Sequence, residues 1–487
     1  MVKLHSRYNP HFEAERYLDA LKISPYCECF ILIEPGLGFL VPALKSRFKN
    51  CKIVALHAGL DFNTAETHFI PAWRPDSTTT VQDFLQKEIP NAEVSKVSMV
   101  EWRPSLNVYG DAYAKLVSQT VDFLKRSDAG RRTTAAMGKK WVKNFFKNLP
   151  LLKNALMYKT SDSPVVVACA GPALEAALPA IAEIREGALV IAASSSLLAL
   201  EKGGIIPDIV ISTDGSPWAL HHLYPLFRAE NNPPCSFPLP SNGKLQGKSA
   251  TPSVALLPRI AASFFTALPS QCSKMPLLVL NEGSLWQNIV LKEMAVPSVL
   301  IPQMGTVAAS AVELALALTR GNVYLAGLDL SIKGIRTHAR PHGFDHLFFG
   351  RASRFSPVYG QCFSRALALR LGGSMEIYAA WFKNRLNHWP PRIFSLEGSH
   401  PMFEKAAPMR PAKAKSIDFK KVPVKKAPAL GVQALIRSFS DAQLAQSLND
   451  ELAPMLFPGE ENVPNCKLEE AVKELAACAF GGGGQRG

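Results

Sequence analysis

The stretch Val165-Val-Val-Ala-Cys-Ala-Gly171-Pro172-Ala173-Leu-Glu175 decides the fold. Its leading residues are apolar without alternation, the pattern of a strand buried on both faces of a parallel sheet. Glycine then lets the backbone turn and approach a ligand. Proline suits a first helical turn, where its missing N–H has no partner to lose. The N–H groups beyond it are expected to face outward with the positive end of the helix dipole, which favours a phosphate. Gly171, Pro172 and Ala173 are therefore candidate substrate-binding residues.

Working outward, further strands are predicted at Leu189–Ala192, Ile209–Ser212, Leu277–Leu280, Val299–Ile301 and Val323–Ala326, with helical segments between them. That alternation predicts an α/β fold with a Rossmann-like central domain over residues 158–403. Upstream, Cys29–Glu34, the glycine turn Gly36-Leu-Gly38 and Lys52–Leu56 read as half of a nucleotide-binding βαβ unit, so residues 1–110 are expected to form an N-terminal α/β domain. Apolar residues at helical spacing, among them Tyr113, Leu116, Phe145 and Phe146, predict a helical connector over 111–157. Proline and lysine predict an extended linker over 404–430. A short helical C-terminal region over 431–487 follows, with helices near Asp441–Leu456 and Lys467–Ala477 and a glycine run at Gly481–Gly484.

Ligands of open α/β sheets bind beyond the carboxyl ends of the strands, so polar residues there are the next candidates. In Ala192-Ala-Ser-Ser-Ser196 one hydroxyl is expected to cap the following helix, leaving two, taken as Ser194 and Ser195, to meet a ribose or base. Asp214 ends the strand Ile209–Ser212 and reads either as a ligand-facing carboxylate or as a turn cap before Gly215. Asp208, at the opposite edge, reads as structural, capping the turn Ile205–Pro207. Gly305-Thr306 repeats the glycine-led helix start with Thr306 as the cap, and Ala326-Gly327-Leu-Asp329 ends another strand in glycine and an acid. Asp214 and Asp329 are expected to be surface carboxylates at the crevice that contribute little to folding.

The segment Thr337-His338-Ala-Arg340-Pro341-His342-Gly343-Phe-Asp345-His346 concentrates histidines in a loop. Pro341 and Gly343 oppose the helix on which such histidine spacing would bind a metal, so no metal site is expected. A neutral imidazole can accept a proton from an acceptor hydroxyl, and Arg340 can clamp a phosphate or carboxylate. His338 is the expected general base, with an ordinary pKa of about 6.5, because a short loop after Asp329 can return it to the crevice. Pro341 and Gly343 are expected to turn the chain away beyond it. His338 and Asp329 are thus the candidate catalytic residues.

Lys and Arg number 54 against 40 Asp and Glu, a formal charge of +14. The basic residues are dispersed and lack interleaved aromatics, so nucleic acid is not an expected partner, and an anionic small molecule accounts for the excess. The N-terminus has charges throughout and nowhere do about 18 uncharged apolar residues run together, which predicts a cytoplasmic protein without membrane insertion. Nine scattered cysteines predict reduced thiols.

In order, Gly171-Pro172, Gly204-Ile-Ile-Pro207-Asp208 with Asp214, Gly305-Thr306 and Ala326-Gly327-Leu-Asp329 resemble the core of the motility accessory factor family. Ser6-Arg-Tyr-Asn-Pro10-His-Phe-Glu13-Ala14 resembles that family's N-terminal motif. The resemblance implies a glycosyltransferase that moves a nonulosonic acid, of the pseudaminic or legionaminic type, from a CMP-activated donor to Ser or Thr of flagellin. The central domain is also similar in kind to bacterial sialyltransferases, although the serine usual after Gly-Pro is Ala173 here, which removes a hydroxyl expected near the nucleotide. No cofactor is implied: CMP is a good leaving group, and no Asp-x-Asp triplet is present to chelate a nucleotide diphosphate through a metal. Three other readings stand beside it. Glu34-Pro-Gly-Leu-Gly38 suits an S-adenosylmethionine-dependent methyltransferase, although the second strand ends in Leu56-His57-Ala58-Gly59 with Asp61 as the nearest acid. A pterin diphosphokinase, using ATP and Mg²⁺, also resembles the central motifs. A non-enzymatic flagellin chaperone is the third.

Overall fold

A computed structural model describes residues 4–60, 70–89, 96–227, 253–256, 276–302, 305–371, 374–386, 388–396, 400–405, 418–424 and 426–480. The chain divides into two compact units, Met1–Ala136 and Met137–Gly487. The architecture is α/β, with parallel sheets in both.

In the first unit β1 (Cys29–Ile33), β2 (Lys52–Leu56), β3 (Ala72–Trp73) and β4 (Val97–Glu101) form a parallel sheet of order β3-β2-β1-β4. Alternation along β1 feeds two cores. Phe30 and Leu32 pack with Ala14, Leu18, Leu40 and Leu44 of the helices Pro10–Ala20 and Leu40–Arg47. Ile31 and Ile33 pack with Val81, Leu85, Tyr113 and Phe123 on the other face.

In the second unit β5 is Leu156–Lys159, β6 Val165–Ala168, β7 Leu189–Ala193, β8 Ile209–Ser212, β9 Ser253–Leu256, β10 Leu277–Asn281, β11 Val299–Leu300, β12 Val323–Ala326, β13 Ile393–Ser395 and β14 Asp418–Lys421. Eight of these make one sheet, β11-β10-β9-β8-β7-β6-β12-β13, and every pairing in it is parallel. From β6 the chain winds outward through β7 to β11, then returns to add β12 and β13 on the other side. The switch in winding falls between β6 and β12. Every residue of β6, β7, β8 and β12 is buried, as the unbroken apolar runs require.

Two expectations are corrected. The helix Leu106–Asn148, kinked at Gly110, stops before the expected end of the connector, and Met157 lies in β5. In the stretch expected to be linker, β14 pairs antiparallel with β5, and a helix already begins at Pro428. The strands β9 and β13, at four and three residues, are too short for periodicity to reveal.

The C-terminal helices Pro428–Ser438, Ala442–Leu456 and Asn465–Phe480 share a core with the helix Leu285–Glu293 and with Phe145 and Phe146. Trp286 meets Phe145 edge-on at 4.7 Å, a geometry worth about 0.5–1.5 kcal/mol beyond its buried area. Glu451 accepts from the N–H groups of Leu285 (2.9 Å) and Trp286 (3.3 Å), a carboxylate at the positive end of that helix. The run Gly481–Gly484 lies outside the described residues.

Candidate active site

Because the sheet is parallel, the carboxyl ends of β8, β7, β6 and β12 stand side by side along one edge, and the winding switch opens a crevice between the last two. Asp214, then Ser194 and Ser195, then Gly171 to Ala173, then Gly327 and Asp329 follow those strands in that order. Gly305 and Thr306 join the row from another direction. They lead the helix Val307–Leu318, which packs on β6, β7, β8 and β12 and is about 18 Å long. Its far end is pinned before β6, where Thr319 Oγ1 donates to Ser163 O at 2.6 Å, so its start lies at the crevice edge. Thr306 Oγ1 caps it, accepting from Ala309 N–H at 3.1 Å.

Hydrogen bonding corrects the phosphate cradle expected at Gly171. Its N–H donates to Gly327 O at 2.8 Å, that of Leu174 to Gly171 O at 3.0 Å, and that of Ala173 to Asp329 Oδ2 at 2.9 Å. The positive end of this helix therefore meets the protein's own carboxylate. Only glycine fits: a Cβ on Gly171 would lie 1.7 Å from Asp329 Oδ1 and 2.5 Å from Gly327 O. Nor is Asp329 a surface carboxylate, being 8% exposed. Burial pushes its pKa up, against the opposing pull of the Ala173 N–H. Its Oδ1 has no hydrogen-bond partner among the described residues.

The neighbouring strand ends are less committed. Ser194 is buried and Ser195 half-buried. No serine caps the helix Leu197–Lys202: the hydroxyl of Ser196 lies 2.9 Å and 2.8 Å from the carbonyls of Ala168 and Ala193 and ties β7 to β6 instead. Asp214 is exposed and accepts from the Ser216 N–H (2.8 Å) and hydroxyl (2.9 Å), a turn-capping geometry that leaves it at the end of β8. Asp208 accepts from Val190 N–H at 2.8 Å and pairs with Arg185 at 3.0 Å, a structural engagement away from the crevice edge.

The histidine loop returns to this edge. Ala339 N–H donates to Ala170 O at 2.8 Å, which hangs His338 and Arg340 on the end of β6. The N–H of Arg340 and the guanidinium of Arg336 both donate to Glu175, each at 3.0 Å. His338 Nδ1 lies 2.9 Å from Thr337 Oγ1. Pro341 and Gly343 do not turn the chain away, because the rings of His338 and His342 stack at 4.2 Å. Gly343 instead admits the short helix Leu220–Leu223: a Cβ there would lie 2.5 Å from His222 Nδ1 and 2.6 Å from His221 O.

The environment corrects the expected base strength. Burial first, then Arg365, His222 and Arg340, push the pKa of His338 down to about 3. Burial, His338 and His222 lower His342 as well. Both rings are neutral at pH 7, and His338 is a weaker base than its ordinary pKa suggests. Asp345 accepts from His342 N–H at 2.9 Å and pairs with Arg340 at 3.0 Å. Arg365, on the helix Val358–Leu371, sits 5.0 Å from the centroid of Phe344. Among the described residues no group of His, Cys, Asp or Glu is arranged to hold a metal ion. Sequence reasoning missed His222 and Arg365. The pair His221-His222 shortly after Asp214 is a visible signal; Arg365, inside an ordinary helix, gives none.

The glycine turn of the first unit is covered by its own chain. Leu37 N–H donates to His5 Nε2 at 2.9 Å, and the His5 ring stacks on Trp102 at 5.1 Å. Glu34, fully buried, accepts from Ala58 N–H at 2.5 Å and lies 3.2 Å from His57 Nδ1. Glu34, the acid that opens the methyltransferase-like motif, is engaged inside, and Asp61, the acid nearest the end of the second strand, lies outside the described residues.

A family model described as 6-hydroxymethylpterin diphosphokinase MptE-like matches residues 139–246. An uncharacterized protein of Treponema pallidum (strain Nichols) is 29% identical over 306 residues, which cover 62% of this chain and 60% of that protein. The chain thus spans less than two thirds of that relative. Among solved structures, the MAf glycosyltransferase from Magnetospirillum magneticum AMB-1 is similar with a TM-score of 0.43 and 12% identity, over 93% of this chain and 73% of that one.

Proposed function

We propose that the chain is a cytoplasmic glycosyltransferase that moves a nonulosonic acid from a CMP-activated donor to Ser or Thr of flagellin, with its chemistry in residues 158–403. The observation that carries this reading is the attachment of the His338 loop to the end of β6 through Ala339 and Ala170. It ties a loop that carries an imidazole and a guanidinium to the end of β6, which flanks the winding switch, and α/β sheets bind nucleotides at such switches. As the bond from sugar to CMP breaks, negative charge grows on the departing phosphate and positive charge on the sugar. Fixed cations near the phosphate favour that separation. His338 takes the proton of the acceptor hydroxyl. Asp329 fixes the Gly171–Ala173 turn, and Ser194, Ser195, Asp214, Gly305, Thr306 and Gly327 line the donor's path.

Intact-mass analysis of flagellin from a strain lacking this protein tests the reading. A loss corresponding to the sugar is expected, and an unchanged mass would contradict it. A pterin diphosphokinase is the second reading, favoured by the family model over residues 139–246. Transfer of diphosphate from ATP to a hydroxymethylpterin by the purified chain would establish it instead.

A further inference from the structure

We infer that His222, His342, Arg340 and Arg365 form a site for one oxyanion, a phosphate or carboxylate group, beside the crevice. Three separate elements build it: the helix Leu220–Leu223, the loop after β12 and the helix Val358–Leu371. The rings of His222 and His342 are 4.7 Å apart, and both pack on Phe344, at 4.5 Å and 5.2 Å. Arg365 lies over the same Phe344 ring.

Three polar groups in this cluster are unanswered. His342 is 4% exposed, and its Nε2 has no hydrogen-bond partner among the described residues; neither does the buried Nδ1 of His222. Arg365 is half-buried and, among the described residues, has ring contacts but no hydrogen bond or ion pair. Leaving buried polar groups unpaired is costly, and a guanidinium more so. Two guanidinium groups face one carboxylate, Asp345, which is already paired with Arg340. The cluster therefore carries an excess positive charge ringed by imidazoles that can donate, which matches an oxyanion. The helix start at Gly171, the other candidate anion site, is occupied by Asp329.

A proton accompanies the anion. The groups facing the histidine pair are His221 on the short helix, His338, Arg340, Asp345 and His346 on the loop, and Cys362 and Arg365 on the long helix. Burial is the main cause of the lowered pKa of His222, with Arg365 next, and of His342, where His338, His222, Arg365 and Arg340 add to it in turn. An oxyanion between them opposes the cationic part of that lowering, so the rings become easier to protonate.

The inference rests on the proposed function only for where the donor's charge goes, and its test separates the two. Inorganic phosphate and acetate are each titrated into the full chain while isotope-labelled histidine rings are followed by NMR across pH. One or both anions should move the titration of His222 and His342 upward, phosphate alone marking a phosphate subsite and acetate alone a carboxylate subsite. Arg365→Gln should weaken the effective anion by about tenfold or more, and Arg365→Lys by less, with circular dichroism unchanged. If neither anion shifts these rings, or if Arg365→Gln binds like the wild type, the site does not exist. CMP binding without any response of His222 and His342 would overturn this inference and leave the transferase reading standing. Phosphate binding in a chain that ignores CMP would do the reverse.

Discussion

Asp329 joins two parts of the crevice: Oδ2 holds Ala173 at the helix start, while Oδ1 is buried without a partner among the described residues. Asp329→Ala leaves the Ala173 N–H unanswered, so it should cost about 1–3 kcal/mol in urea unfolding, more than a surface acid would. Asp329→Asn keeps an acceptor and should recover most of that stability. If the carboxylate charge matters to transfer, the Asn variant stays below a tenth or so of the wild-type rate. Recovery of full activity would reduce Asp329 to an acceptor that positions the turn. For His338 the expected readout is kinetic. His338→Ala should lower turnover by about 10²-fold while CMP affinity stays near the wild-type value. Wild-type turnover in that variant would remove it from the mechanism. Its lowered pKa makes it a weak base in the free protein, and negative charge arriving with the donor would strengthen it.

Elements with long, two-sided apolar runs were legible in the sequence, because burial on both faces leaves no room for polar alternation; β6, β7, β8 and β12 are of this kind. So was the cap of the helix Val307–Leu318, since Thr306 and Ala309 are sequence neighbours. The start of the helix Leu174–Ile184 was not. Its partner Asp329 is 156 residues away, and a local rule about free N–H groups cannot see it. The same distance effect hid the approach of His222 to His342, which depends on Gly343 and on a helix placed by β8. A substitution at Gly171 tests the packing of the helix start against Asp329. Gly171→Ala drives a methyl group into Asp329, so it should destabilise by about 1–3 kcal/mol and lose transfer activity together. Normal melting and turnover in this variant would mean that the turn and the acid are not packed as described.

The second unit buries a set of neutral histidines, and this sets its response to acid. His222 is lowered to about 4 and His338 to about 3, with His342 lowered too. In the unfolded chain these rings take up protons near a pKa of about 6.5. Their contribution is therefore complete above that pH and is lost as the pH falls from there towards the folded values. Asp329 and Asp345, raised by burial, act oppositely, gaining stability as they protonate in the carboxylate range. Between about pH 6.5 and 5 the histidines govern the slope. Urea unfolding of the full chain should show stability falling across that window, and His342→Gln should flatten the fall; a pH-independent stability would mean that these rings are not buried as neutral groups. For the activity as a whole, the most direct measurement is calorimetric titration of CMP, ATP and S-adenosylmethionine into the same preparation. CMP should bind in preference to the other two, and Arg340→Gln should weaken it. Preference for ATP or for S-adenosylmethionine, with CMP left unbound, would contradict the account of the crevice as a CMP-sugar site.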